Sequence, residues 1–196
     1  MTLAILAGGR GRRMGGVPKG LLLRERRPLI SHLLDLAPAF DDILLVTPEP
    51  APYAAFGVRT VGDVVLDRGA PGGVHAALVH ARTPWVLAVA ADMPFVTRAV
   101  VDLLLAERGP EQDAVGFEVE GRLEPLLACY RTSLAPAWGA ALASGPSFRA
   151  LWAMARARLL GAEVLARVDP DRRAVLSVNT LEDAQALGVA LPSAER

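Results

Sequence analysis

The chain has 196 residues, of which 52% are hydrophobic, and its 21 basic and 21 acidic residues leave no formal net charge. This length predicts a single domain, and the neutral balance argues against nucleic acid or an anionic membrane surface as the main partner. The apolar runs are too short to cross a bilayer or to form a signal-peptide core, and the single cysteine, Cys129, lacks a second thiol for a disulfide or a metal pair. We therefore expect a cytoplasmic protein.

Strand-like apolar runs alternate with helical patterns along the chain, which predicts an α/β fold with crossover helices. The predicted strands are 2–6, 42–46, 58–61, 85–90, 114–119, 126–129, 163–168 and 175–178. The predicted helices are 29–37, 69–81, 98–106, 134–143, 148–155 and 181–187. Segment 85–90 is wholly apolar, which predicts a strand in the middle of the sheet. Asp92 should stand at the carboxyl edge of that strand, because Pro94 cannot continue its hydrogen bonds.

The only lysine of the chain, Lys19, follows a glycine-rich loop behind the first predicted strand. Residues 10–27 hold seven basic residues and one acidic residue, a local net charge of +6. The glycines let backbone N–H groups approach an anion, and a lysine ammonium on its flexible stem suits a single phosphate oxygen. On charge alone, a solvated arginine-rich turn is the alternative explanation.

Two known phosphate-binding motifs do not fit this loop. A Walker A loop needs Gly-Lys followed by Ser or Thr, whereas Pro18 precedes Lys19 and Gly20 follows it. A dinucleotide-binding fingerprint needs a third glycine where the chain has Met14. Both P-loop ATP hydrolysis and nicotinamide chemistry are therefore disfavoured.

The loop and Asp92 are predicted to meet at one edge of the sheet, where open α/β sheets bind ligands. A carboxylate there suits Mg²⁺ bridging phosphates, and a basic loop would stabilise the charge on a departing pyrophosphate. These features predict a nucleotidyltransferase. The candidate catalytic residues are Lys19, Asp92 and Arg13, with Asp92 as the metal ligand.

The segment LAGGRGRRMGGVPKGLL at residues 6–22 resembles the signature of molybdenum cofactor guanylyltransferases, the MobA family. Weaker similarities follow at Pro28-Leu29, at GAPGG (69–73), at Asp92-Met93-Pro94 and at NTLED (179–183). The resemblance implies a three-layer Rossmann-like nucleotidyltransferase fold with a mostly parallel, mixed central sheet. It also implies one domain over residues 1–196, with nucleotide bound by the N-terminal part and the acceptor by the C-terminal part.

The resemblance further implies the reaction and its participants. The family transfers GMP from GTP to molybdopterin, using Mg²⁺, and releases pyrophosphate. Its nucleotide-binding positions fall here on Leu6, Ala7, Gly8, Gly9, Lys19, Asp63 and Asp92. Asp67 is the alternative to Asp63, and Arg149 and Asn179 are candidates for the pterin side. Cofactor-insertion proteins and target molybdoenzymes are the candidate protein partners.

The chain also departs from the family pattern. Pro18 replaces an aspartate found in many relatives, Thr47 an asparagine found in some, and Ala91 a cysteine or similar residue. A CTP-dependent cytidylyltransferase acting on the same pterin remains an alternative, although LAGG at residues 6–9 favours guanine. A noncatalytic nucleotide-binding partner in cofactor assembly is a second alternative, against which the presence of Lys19 and Asp92 argues.

Overall fold

The structure, a computed structural model, describes residues 1–8 and 16–192. In this part of the chain the strands are β1 (Thr2–Leu6), β2 (Leu23–Arg24), β3 (Arg27–Pro28), β4 (Asp42–Val46), β5 (Arg59–Val61), β6 (Trp85–Ala90), β7 (Ala114–Val119), β8 (Arg122–Arg131), β9 (Ala157–Gly161) and β10 (Val189–Ala190). The α-helices are α1 (Leu29–Leu34), α2 (Gly69–His80), α3 (Arg98–Ala106), α4 (Ala135–Leu142), α5 (Phe148–Trp152), α6 (Ala162–Leu165) and α7 (Leu181–Ala186). Short 3₁₀ turns include Lys19–Leu21 and Arg173–Val175.

Seven strands form the main sheet in the order β5-β4-β1-β6-β8-β7-β9. β8 runs antiparallel to both of its neighbours, and the other four pairings are parallel. The predicted mostly parallel, mixed sheet is therefore confirmed, with β6 in its middle position. β1 and β6 are in register from Thr2 opposite Val86 to Leu6 opposite Ala90, so both strands end at the same edge.

Helices cover both faces of this sheet, because each central strand is buried on both sides. On one face, Leu3 and Ile5 of β1 share a core with residues of α1, α3 and α6. On the other face, Ala4 and Leu6 share a core with residues of α2, α4 and α5, including the fully buried Trp138. This alternation confirms the three-layer α/β arrangement. None of the helices in residues 1–8 and 16–192 is long and apolar enough to span a membrane.

Two of the predicted strands are wrong. Residues 162–165 form α6, in which Ala162 and Leu165, three residues apart, pack towards the core and Glu163 occupies the favourable first turn. Residues 173–175 form a 3₁₀ turn, and the Val178 N–H donates to the Asp92 carbonyl oxygen at 2.9 Å instead of joining a strand. In both segments the apolar spacing fits a helical turn as well as a strand.

Other differences concern short elements. Helix α1 ends at Leu34 rather than at residue 37, because Pro38 has no N–H to donate to the Leu34 carbonyl oxygen, and a 3₁₀ turn follows at Ala37–Ala39. The helix predicted over 148–155 ends at Trp152. A small second sheet, in the order β10-β2-β3, was missed because its two-residue strands show no periodicity. This sheet connects the chain around Lys19 to the C-terminal segment.

Candidate active site

Lys19 and Asp92, distant in the sequence, meet at the carboxyl edge of the sheet. The Lys19 Nζ atom donates to Asp92 Oδ2 at 2.7 Å and to Asn179 Oδ1 at 2.7 Å. The Lys19 and Asp92 side chains are 23% and 15% exposed, so the pair is shielded from most solvent but still reachable. The structure thus adds Asn179 to the two residues that the sequence predicts to lie together.

Two backbone hydrogen bonds, one at Ala91 and one at Asp92 itself, hold Asp92 in place. β6 ends at Ala90, and the Ala91 N–H donates to the Leu6 carbonyl oxygen at 2.9 Å. The Val178 N–H then binds the Asp92 carbonyl oxygen from the C-terminal segment. These bonds fix the carboxylate just beyond the strand end, as predicted.

Lys19 is positioned by the close packing of Gly20. A Cβ at Gly20 would lie 3.0 Å from the Tyr53 hydroxyl oxygen and 3.1 Å from the Ala91 Cβ, so a larger residue would push the turn outward. Burial raises the pKa of Tyr53 to about 12, which keeps its phenol protonated. Pro18, the departure noted before the lysine, leads directly into this 3₁₀ turn.

The start of helix α7 places Asn179. The Asp183 carboxylate accepts the N–H groups of Asn179 and Thr180 at 2.8 Å each, and the Thr180 hydroxyl caps the helix in return. These backbone bonds lower the pKa of Asp183. The Asn179 Nδ2 donates to the Ser177 hydroxyl at 2.8 Å, which leaves its Oδ1 directed at Lys19.

A pocket of about 220 Å³ opens beside this cluster. The predicted nucleotide-binding residues that line it are Leu6, Ala7, Gly8, Lys19, Asp63 and Asp92. Gly9 and Arg13 lie outside the described residues. The beginning of helix α2 also contributes to the wall, through Gly69, Ala70 and Gly73, and helix N-termini attract anions.

Of the two candidate aspartates after β5, only Asp63 lies in the wall of this pocket. Burial raises the pKa of Asp63, and the nearby Asp67 carboxylate adds to the shift. Asp67 itself is exposed and has a φ of 58°, which suits a turn residue. Gly73 allows the close approach of α2 to β1, since a Cβ there would lie 2.8 Å from Leu6 Cδ2.

A second cavity, a groove of about 400 Å³, is lined by Asn179 but not by Lys19 or Asp92. Its walls come from the turn between β7 and β8, from β8 and from residues 171–183. Arg149, a candidate for the pterin side, does not line it. The Arg149 guanidinium instead binds the Glu118 carboxylate at 2.9 Å and the Gly121 carbonyl oxygen at 3.1 Å behind the β7–β8 turn.

Thr47 has a structural role that the sequence did not reveal. Its buried hydroxyl donates to the Ala7 carbonyl oxygen at 3.2 Å and accepts the Glu49 N–H at 3.2 Å. Thr47 therefore fixes the backbone at the start of the loop. Tyr53 and Ser177 also went unrecognised, because neither stands in a motif whose spacing indicates chemistry.

The sequence relationships of the chain agree with this geometry. The MobA-like NTP transferase domain family matches residues 3–178. The chain belongs to this family. A molybdenum cofactor guanylyltransferase of Pseudomonas paraeruginosa is 40% identical over 139 residues, which cover 68% of this chain and 70% of that protein. A probable molybdenum cofactor guanylyltransferase of Flavobacterium johnsoniae is 30% identical over 137 residues, covering 69% of this chain and 71% of that protein.

The fold of the MobA-like chain also matches a solved relative. The crystal structure of molybdopterin-guanine dinucleotide biosynthesis protein A from Archaeoglobus fulgidus superposes with a TM-score of 0.78 and 26% identity. The match covers 95% of this chain and 96% of that one. The MobA-like protein is therefore a nucleotidyltransferase with the Rossmann-like fold of this enzyme class, as the sequence predicted.

The carboxylate chemistry of the site fits a substrate-delivered Mg²⁺ ion. Residues 1–8 and 16–192 contain no cluster of three or more His, Cys, Asp or Glu side chains that could hold a metal alone. Mg²⁺ in nucleotide sites, however, commonly uses one or two carboxylates and takes its other ligands from phosphates and water. Lys19 engages only Oδ2 of Asp92, so Oδ1 can serve as the protein ligand in this MobA-like site.

Proposed function

We propose that this protein transfers GMP from GTP to the phosphate of molybdopterin, forming the guanine dinucleotide cofactor and pyrophosphate. The observation that carries the proposal is the cluster of Lys19, Asp92 and Asn179, of which Lys19 and Asp92 line the pocket and Asn179 lines the groove. A transferase needs two substrates to meet at one point, and the hydrogen bond from Lys19 to Asn179 joins the wall of the pocket to the wall of the groove. The named guanylyltransferase relatives support this assignment.

In the proposed reaction, an oxygen of the acceptor phosphate attacks the α-phosphorus of GTP. The bond between the α-phosphorus and the bridging oxygen breaks, and pyrophosphate leaves with the electron pair. Lys19 would hold the triphosphate and offset the charge that develops there. Asp92 would hold Mg²⁺, which when bound neutralises phosphate charge and orients the displacement.

The acceptor needs no general base, because a phosphate oxygen is already ionised near neutral pH. The site agrees with this expectation, since the three histidines lie on helices α1 and α2 and none of them lines either cavity. Leu6, Ala7, Gly8 and Asp63 would contact the guanosine part of the nucleotide. Arg13 and Gly9 remain predicted contributors to the phosphate-binding loop.

Pyrophosphate release with Mg²⁺ and molybdopterin tests this function. GTP, CTP and ATP are compared for the native protein, for Asp92→Asn and for Asp102→Asn, which changes an exposed carboxylate paired with Arg98. We expect GTP-selective release that is lost in Asp92→Asn, by about 10²–10³-fold, and retained in Asp102→Asn. Selective use of CTP would indicate a cytidylyltransferase, and GTP binding without release would indicate a noncatalytic partner.

Three broader expectations accompany this proposal. The N-terminal part would bind the nucleotide and the C-terminal part the acceptor, within one domain. The reaction would take place in the cytoplasm, where nucleoside triphosphates and Mg²⁺ are available. Cofactor-insertion proteins or molybdoenzymes would receive the product.

A further inference from the structure

The groove beyond Asn179 combines apolar and polar walls. Val119, Val175 and Leu176 provide the apolar part, and Asn179 lies at the end towards Lys19. A flat heterocycle linked to a phosphate could place its ring between these apolar side chains and extend its phosphate to Lys19. This inference rests on the proposed function, because it takes the acceptor to be a pterin.

Three of the six charged side chains that line the groove have partners within residues 1–8 and 16–192. The Asp183 carboxylate binds the backbone at the start of α7, and Glu120 pairs with Arg172 at 3.3 Å. Glu124 differs from them. Its side chain is half-buried and has no ion-pair or hydrogen-bond partner among residues 1–8 and 16–192. Burial raises the pKa of Glu124, and the charge of Arg122 opposes this shift.

A bulge in β8 fixes the position of Glu124. Gly116 of β7 stands opposite Ala128, but the next residue, Phe117, stands opposite Glu124, so residues 125–127 are displaced from the β7 pairing. The buried Tyr130 hydroxyl donates to the Pro125 carbonyl oxygen at 2.6 Å and holds this displaced segment. Bulges beside active sites commonly redirect a side chain. Here Leu126 lines the nucleotide pocket and Glu124 lines the groove.

We propose that Glu124 determines acceptor specificity by accepting two hydrogen bonds from the pterin ring. The pyrimidine part of a pterin presents an N3–H and a 2-amino group side by side, and the two oxygens of one carboxylate match this pair of donors. Val119 and Leu176 contact the ring faces. Glu124 thus binds the end of the acceptor that is remote from the reacting phosphate.

Replacing the 2-amino group by oxygen provides a sharp test, because it turns one donor into an acceptor. Neopterin monophosphate and its 2-oxo (lumazine) analogue are titrated by their own fluorescence, without GTP. The proteins are the native chain, Glu124→Gln and Glu111→Gln, which removes the same charge from an exposed glutamate that lines neither cavity. We expect the native protein to favour the pterin by about tenfold.

The glutamine variant should reverse this preference. Its amide oxygen can accept the N3–H while its NH₂ donates to the 2-oxo group, so Glu124→Gln should prefer the lumazine. Glu111→Gln should behave as the native protein. In turnover, Glu124→Gln should raise the KM for molybdopterin and leave the KM for GTP unchanged.

Equal binding of the two ring systems by the native protein, or no pterin binding, would overturn the role of Glu124. An unchanged preference in Glu124→Gln would do the same. None of these results depends on nucleotide transfer. GTP-dependent pyrophosphate release with molybdopterin would still establish the proposed function if the role of Glu124 failed, and its absence would refute that function separately.

Discussion

The ammonium of Lys19 and the carboxylate of Asp92 lie 2.7 Å apart although 73 residues separate them in the chain. Asn179 completes the arrangement from a further 87 positions along the sequence and accepts a second hydrogen bond from the same ammonium. Lys19 is therefore oriented before a nucleotide arrives. Such preorganisation lowers the cost of placing charge where it is needed in the transition state.

Lys19→Arg should impair the enzyme despite the conserved charge. The guanidinium is larger and planar, so it cannot replace an ammonium held at 2.7 Å from both Asp92 Oδ2 and Asn179 Oδ1. We expect kcat/KM for GTP to fall about 10²-fold, with little change in the melting temperature. Steady-state kinetics measure the effect, and Arg98→Lys at an exposed ion pair is the control. Native kinetics in Lys19→Arg would contradict the requirement for a compact charge.

Asn179→Ala should reduce kcat/KM about tenfold, because it removes a hydrogen bond to a charged donor. A double-mutant cycle with Lys19→Met identifies the reason. If Asn179 acts by positioning Lys19, its replacement should have a much smaller effect in the Lys19→Met protein. An undiminished effect there would instead indicate that Asn179 acts on the acceptor independently of Lys19.

The sequence could predict the meeting of Lys19 and Asp92, because both follow strands whose carboxyl ends share one edge of a parallel sheet. It could not predict the bond from Lys19 to Asn179. The NTLED segment shows a helix cap, but the direction of the Asn179 side chain depends on how the C-terminal segment packs. The backbone hydrogen bond from the Val178 N–H to the Asp92 carbonyl oxygen arises from the same packing, which explains why strand 175–178 was predicted wrongly.

Tyr130→Phe should lower the free energy of unfolding by about 1–3 kcal/mol. The fully buried hydroxyl donates to the Pro125 carbonyl oxygen and accepts the Trp152 Nε1–H at 3.1 Å, so its removal leaves two buried polar groups without this partner. Urea denaturation followed by tryptophan fluorescence measures the loss. Pterin binding should weaken as well, because the bulge that carries Glu124 loosens. A fully native free energy of unfolding would show that the bulge is held by other contacts.

His75 should make the protein less stable in mild acid. Burial lowers the pKa of His75, so the unfolded chain takes up a proton near the ordinary pKa of about 6.5 before the folded protein does. The unfolded state then binds more protons, and stability declines as the pH falls from about 6.5 to the lowered pKa of the folded state. Above this window His75 is neutral in both the folded and the unfolded chain, so no stability is lost.

Urea unfolding at a pH of about 7.5 and of about 5.5 tests this expectation. His75→Gln should reduce the difference in unfolding free energy between the two pH values. His80→Gln, at the exposed end of the same helix, should leave the difference unchanged. The same pH difference in His75→Gln and in the native protein would exclude His75 as its source.

Glu124 illustrates a second limit of sequence reasoning. The sequence predicted a strand only over 126–129, and although Pro125 is compatible with a bulge, it does not show that residues 125–127 leave the pairing with β7. Tyr130, in the same strand, binds the Pro125 carbonyl oxygen, and its hydroxyl is in turn held by Trp152 of helix α5, which is distant in the sequence. Helix α3, by contrast, was predicted with correct bounds because Thr97 caps it locally.

The contacts of Val178 and Asn179 also determine when the cluster of Lys19, Asp92 and Asn179 can form during synthesis. Lys19 and Asp92 emerge from the ribosome well before these two residues, since chains emerge and fold from the N-terminus. In a nascent chain, Lys19 therefore lacks its hydrogen bond to Asn179 until residue 179 has left the exit tunnel. Residues 171–183 line the groove but not the nucleotide pocket, so a partly synthesised molecule would lack the acceptor groove while its pocket residues are already present.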